Sequence, residues 1–182
     1  MATTTKVTKR EIVITRVIDA PRGLVWKAWT DPALVKQWWG PKGFTAPVCK
    51  IDFRRGGKYL FCMQSPEFLE GKRIWSTGVY REIVPLERIV CTDSFADAKG
   101  NVVPATHYGM GDDFPMEMQV TLRFEEQKGK TRFTLRHAGH PAGEMSEMAA
   151  AGWNQSFDKI DALLSTLGKE NNWSTAMRGQ RG

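Results

Sequence analysis

The chain has 182 residues, 41% hydrophobic and 25% charged, with 26 Lys and Arg against 20 Asp and Glu for a net charge of +6. Such a length and balance fit one globular domain with a sizeable core and exclude disordered or collagen-like structure. No stretch approaches the roughly 18 consecutive apolar residues of a membrane span, and the polar start around Thr3, Thr4, Thr5 and Lys6 lacks the apolar segment of a secretory signal. A cytoplasmic location is therefore expected. Cys49, Cys62 and Cys91 are odd in number, widely spaced and set in apolar stretches, which points to reduced, buried thiols. The basic residues are dispersed, and the densest groups, Arg54 and Arg55 with Lys58, and Arg178 with Arg181, are too short to track several phosphates. Nucleic acid is not an expected partner.

Residues 1–9 are expected to be flexible, 10–168 to form the domain, and 169–182 to form a tail. Residues 12–18 are β-branched and read as a strand that passes straight into a helix with Pro21 in its first turn. That helix, 21–29, carries Leu24, Val25, Ala28 and Trp29 on one face. Asp31 before Pro32 starts a second short helix that ends at Gly40 and Pro41. The pattern then changes to period two, predicting strands at 47–53, 58–64, 74–84, 87–95, 116–125 and 131–138, most joined by links short enough to demand antiparallel neighbours. After Gly143, Met145, Met148, Ala149, Trp153, Phe157, Ile160, Leu164 and Leu167 recur every three or four residues, predicting a long helix closed by Gly168. The tail reads as irregular, with Trp173 available to pin it.

Strand, helix pair, six antiparallel strands and one long helix make an α+β layer arrangement: a curved sheet of about seven strands wrapped around its last helix. Where sheet and helix diverge, the interior can be wider than side chains fill. Tyr59, Phe61, Met63, Met116, Met118, Trp153 and Phe157 crowd this seam, with Trp75, Phe95, His107 and Tyr108 as further candidate lining residues. Aromatic rings offer broad apolar contact and Met refits to irregular shapes, which suits an apolar or aromatic small molecule. A core filled by the same residues is the competing reading.

Five blocks carry a resemblance: TRVIDAPRGLVWKAWTDPALVKQWWGP (15–41), RRGGKYLF (54–61), GVYREIVPLERIV (78–90), VTLRFEEQKGKTRFTLRH (120–137) and GWNQSFDKIDALL (152–164). In this order and spacing they resemble the SRPBCC superfamily, and more narrowly its branch named after the activator of heat shock protein 90 ATPase. The resemblance spans about residues 10–167. It implies the helix-grip fold, also called START-like or Bet v 1-like, and a cavity between sheet and long helix that takes a hydrophobic, lipid-like or aromatic small molecule. The superfamily also contains cyclases and other enzymes, so fold alone does not fix activity. The resemblance leaves chaperone contact or homodimer formation as an alternative role.

His137 is the candidate for acid–base work, at a strand end in register with Phe133 and Leu135; the competing reading is a structural histidine satisfied by a loop carbonyl. His137 and His140 form an HxxH pair without close companion ligands, so no metal is expected, and no phosphate loop or nucleophile motif appears, so no cofactor is expected either. Residues 96–115 form the longest connection, and their His107, Tyr108, Asp112 and Asp113 among glycines suit a lid or a solvated insertion. Of the adjacent Trp38 and Trp39, one is expected to pack inward and the other to be partly exposed or stacked on a neighbouring loop, which suits a gate or interface; the preferred competing reading is anchorage of the helix pair.

Overall fold

The computed structural model describes residues 2–8 and 10–179, with side chains described for 2–7 and 10–170. Strand β2 (Glu11–Ile18) alternates half-buried and buried positions, as its β-branched run requires. It leads into α1 (Arg22–Thr30), which buries Val25, Ala28 and Trp29. Helix α2 (Pro32–Trp38) is capped by Asp31, whose carboxylate accepts the Ala33 N–H at 2.9 Å, with Pro32 placed where no N–H is needed. The Trp38 indole N–H donates to the Ala28 carbonyl at 2.8 Å and locks the two helices together.

The chain then walks back across the sheet through β3 (Thr45–Ile51), β4 (Lys58–Gln64), β5 (Ile74–Val84), β6 (Arg88–Ala96), β7 (Met118–Gln127) and β8 (Lys130–Ala138). Strand β8 closes against β2, giving one open antiparallel sheet in the order β1-β2-β8-β7-β6-β5-β4-β3. This is an α+β helix-grip arrangement. Its eighth strand is β1 (Thr3–Thr8), antiparallel to β2 from Thr3 opposite Arg16 to Thr8 opposite Glu11. Flexible structure was expected there because a polar Thr-rich segment has no apolar alternation; pairing with the free edge of β2 supplies the backbone bonds instead.

Helix α3 (Glu144–Gly179) covers the inner face. Phe157, Ile160 and Leu164 are fully buried against Phe133, Leu135 and Trp29. Arg16, buried in β2, fixes the helix at its side, reaching Asp158 at 2.8 Å, Asp161 at 3.0 Å and the Asn154 carbonyl at 3.3 Å, with Phe157 beneath the guanidinium. The helix passes Gly168 and continues to Gly179, where an irregular tail was expected; a helical glycine disfavours the helix by only about 1 kcal/mol. The Trp173 side chain lies outside the described residues. No helix among the described residues is long and apolar enough to cross a membrane.

Candidate functional site

Period two along β4 and β6 aims Tyr59 and Phe61, and Ile89, Cys91 and Asp93, at α3. With Trp29, Trp39, Tyr80, Val120, Leu122 and Trp153 they surround a cavity of about 30 Å³. That is room for one or two waters, far below the roughly 300 Å³ at which ligand pockets begin. The interior is thus narrower than a seam of Met and aromatic residues led us to expect, because the rings pack on one another. Trp39 meets Phe61 at a centroid distance of 4.6 Å and Trp153 at 5.6 Å, and Tyr59 stacks on Phe61 at 4.5 Å.

Trp39 has a second side. Its outer face borders a surface groove of about 440 Å³ shared with Lys36, Gln37, Phe44, Thr45, Ala46, Pro47 and Lys159. One tryptophan is inward and the other partly exposed, with Trp38 fully buried and Trp39 a half-buried wall between groove and cavity. Gly40 turns the chain after Trp39 with φ of +95°, a conformation other residues rarely adopt. The Lys159 ammonium holds this turn by donating to the carbonyls of Gly40 at 2.8 Å and Phe44 at 3.2 Å.

Polar groups converge at the cavity's other end. Gly78 lies opposite Tyr59 in the β4–β5 register, and a Cβ there would come within 2.4 Å of the Tyr59 ring and 1.9 Å of the Thr92 carbonyl. Only glycine lets the Tyr59 ring lie across β5. The Tyr59 hydroxyl thereby reaches the Asp93 carboxylate at 2.8 Å and the Thr92 carbonyl at 3.1 Å. His137, across β7, places Nε2 at 2.9 Å from the second Asp93 oxygen, with its N–H off the line of a hydrogen bond. His137 Nδ1 faces the Trp153 indole N–H at 3.1 Å and His140 Nε2 at 3.0 Å.

An indole N–H only donates, so His137 Nδ1 accepts from Trp153, and Nε2 is the nitrogen turned to the carboxylate. Burial, then the neighbouring His137, pushes His140 down to about 3, against the pull of Asp93. His140 is therefore neutral at pH 7. Burial raises the Asp93 carboxyl, but the contacts with His137 and Tyr59 and the nearby His140 outweigh it and hold Asp93 below the usual carboxylate range. Burial also raises Tyr59, Tyr80 and Cys91, so each keeps its proton at neutral pH.

Tyr59, Phe61 and Trp153 thus line one cavity. Met63 sits near Gly40 and Met118 over Gly139, neither lining the cavity. Phe157 is fully buried in the core behind Trp153. Met116 precedes β7 and is 50% exposed, and Met148, expected on the apolar stripe of α3, is 56% exposed. Trp75 packs with Cys62 and Ala96 in a separate small core. Phe95 meets Tyr108 and Phe114 along the loop rather than the cavity, and His107 is exposed. His137 stands behind Asp93, its ring nitrogens turned to Asp93, Trp153 and His140.

The long loop is ordered by its own bonds. The Asp97 carboxylate accepts the N–H groups of Lys99 and Asn101, both at 2.9 Å, and the Tyr108 hydroxyl donates to the Ala96 carbonyl while accepting the Trp75 N–H. Asp112 and Asp113 are exposed. Among the described residues, no three His, Cys, Asp or Glu side chains are placed to hold a metal ion. The sequence reading missed Trp29, Tyr80 and above all Asp93. A carboxylate inside the strand-like run Val90-Cys91-Thr92-Asp93 was the available signal, since Asp is depleted in strands.

No curated protein sequence matches the chain significantly. Among solved structures, a protein from Arthrobacter aurescens superposes with a TM-score of 0.72 at 25% identity, covering 91% of each chain. One from Nitrosomonas europaea gives 0.71 at 23% identity, covering 90% of this chain and 99% of its own. One from Chromobacterium violaceum gives 0.69 at 29% identity, covering 86% and 98%. The family model for activator of Hsp90 ATPase homolog 1-like proteins matches residues 19–165, the segment that builds the helix pair, the six strands β3 to β8, and the packed part of α3. By this match, carried on an SRPBCC fold, the chain belongs to the activator of Hsp90 ATPase homolog 1-like family.

Proposed function

We propose that the chain binds a small hydrophobic molecule with an aromatic ring between the sheet and α3, and that Trp39 is the gate. The observation that carries this reading is the position of one side chain. Trp39 forms a wall of the inner aromatic cavity and a wall of the outer groove, so a change of its rotamer merges the two spaces. The groove alone, about 440 Å³, lies within the range of ligand sites. The inner rings supply the apolar contact, and the fold family's common use of this interior for hydrophobic ligands supports the same reading. A long lipid chain suits the narrow, ring-packed interior less well than a compact flat molecule.

N-phenyl-1-naphthylamine, an uncharged probe that brightens in apolar surroundings, tests the reading. Saturable binding is expected, strengthened about threefold or more by Trp39→Ala, which removes the wall. Val120→Phe fills the cavity and should weaken binding about tenfold while the cooperative thermal transition is retained. Binding that is absent, or unaltered in both variants, would remove the proposal.

A further inference from the structure

We infer that the guest of this cavity is a small aromatic amine, its ammonium group held by the Asp93 carboxylate and its ring lodged among Trp39, Phe61 and Trp153. The inference rests on the ligand-binding reading above and adds the charge of the guest. Its basis is the count of charges around the cavity. Asp93 is the only carboxylate among the lining residues, and none of them is Lys or Arg.

No lysine or arginine of the cavity wall balances Asp93. On β4, the Tyr59 hydroxyl is a neutral donor to it at 2.8 Å. On β8, His137 Nδ1 accepts the Trp153 indole N–H, and Nε2 lies 2.9 Å from Asp93 without completing a hydrogen bond to it. Nearby, His140 shares the same nitrogen of His137. On β6, Cys91 contributes a protonated thiol. Two cations, Lys36 and Lys159, lie outside Trp39 in the groove, and Lys159 is occupied by the backbone carbonyls of the turn.

Asp93 also retains capacity to bind. Its side chain is 16% exposed and forms part of the cavity wall. Each carboxylate oxygen has two lone-pair directions, and the protein addresses each oxygen with one partner. A buried negative charge with spare lone pairs inside a ring of aromatic faces is the chemistry that recognises an ammonium: the carboxylate pairs with it and the π-faces attract it. A carboxylate-bearing guest meets like charge in the same place, and an alcohol gains one hydrogen bond without the charge.

Three probes of one shape separate these cases: 2-phenylethylamine, 2-phenylethanol and 3-phenylpropionate, titrated at pH 7.5 while the tryptophan indole N–H signals are followed by nuclear magnetic resonance. The amine should bind at least tenfold more tightly than the alcohol, and the carboxylate more weakly than both. Asp93→Asn should reduce the amine to the affinity of the alcohol and leave the alcohol within about twofold. An amine no tighter than the alcohol, a preference for the carboxylate, or an undiminished amine in Asp93→Asn overturns the inference and leaves hydrophobic binding standing. Failure of all three probes to bind, together with failure of the uncharged naphthylamine, removes the ligand-binding reading itself. Should Asp93→Asn not fold, the comparison of the three probes on the unaltered protein decides.

Discussion

His140 and Asp93 sit in one polar cluster and respond to acid in different pH ranges. An imidazole in an unfolded chain takes up its proton near pH 6.5, whereas burial holds His140 down to about 3 in the fold. Between these values the unfolded chain binds more protons than the native one, so stability falls as pH falls. The loss should begin near pH 6.5 and steepen to at most about 1.4 kcal/mol per pH unit before reaching about pH 3. Asp93, held below the usual carboxylate range, adds its own loss only at the acid end, as pH drops through its lowered native value. Urea unfolding at pH 7.5, 6.5, 5.5 and 4.5 measures the slope, and His140→Gln should flatten it between 6.5 and 4.5. An equal slope in the variant would count against a neutral buried His140. Gly78 shows how much a single residue contributes here, because any Cβ at that position would drive Tyr59 off Asp93.

Helix α3 is held at two levels. Its apolar side buries Phe157, Ile160 and Leu164, each contributing roughly 1.5–3 kcal/mol by leaving water. Its flank is set by Arg16, whose guanidinium is buried while Asp158 and Asp161 keep 70% and 42% of their side-chain exposure. Those exposed partners limit what the ion pairs give, so the packed arginine stem matters as much as the charge. Arg16→Met, which keeps most of the volume, should cost about 1–2 kcal/mol, and Arg16→Ala, which leaves a cavity, about 2–4 kcal/mol. Chemical denaturation of the two variants checks the order, and equal losses would mean that volume plays no part. Helix α2 is tied to α1 by the buried indole hydrogen bond from Trp38 and is followed by the turn that Lys159 clamps, so the buried and the half-buried tryptophan are adjacent in sequence.

The sheet is open, with β1 and β3 as its two edges. Strand β1 pairs with β2 from Glu11 to Arg16, and Thr5 on it also accepts a hydrogen bond from the Asn154 side chain at 3.1 Å. Removing residues 1–8 would uncover the β2 edge from Glu11 to Arg16, with the β-branched Ile12, Val13, Ile14 and Thr15, an unpaired edge of the kind that pairs with other chains. The shortened chain should retain its far-ultraviolet circular dichroism yet aggregate at concentrations where the full chain stays monodisperse by light scattering. Unchanged scattering would show that β1 is dispensable as a cover.

Much of this architecture was legible along the chain. Alternation in residues 58–64 and 131–138, the helical spacing from Trp153 to Leu164, and the Asp31-Pro32 start signal are local patterns, set by where successive side chains point on one strand or helix. Strand β1 was not legible, because its reason for being a strand is the unpaired edge of β2. The same holds for the site. That Tyr59, Phe61 and Trp153 belong together followed from periodicity. That Asp93 is their one charge, that His137 turns away from the cavity, and that Trp39 divides it from a groove depend on strand register across β4, β5, β6 and β8 and on how α3 docks. Those are relations among residues far apart in sequence. Rings from α1, the turn after α2, β4, β5 and α3 determine how much space remains, and no single segment carries that information.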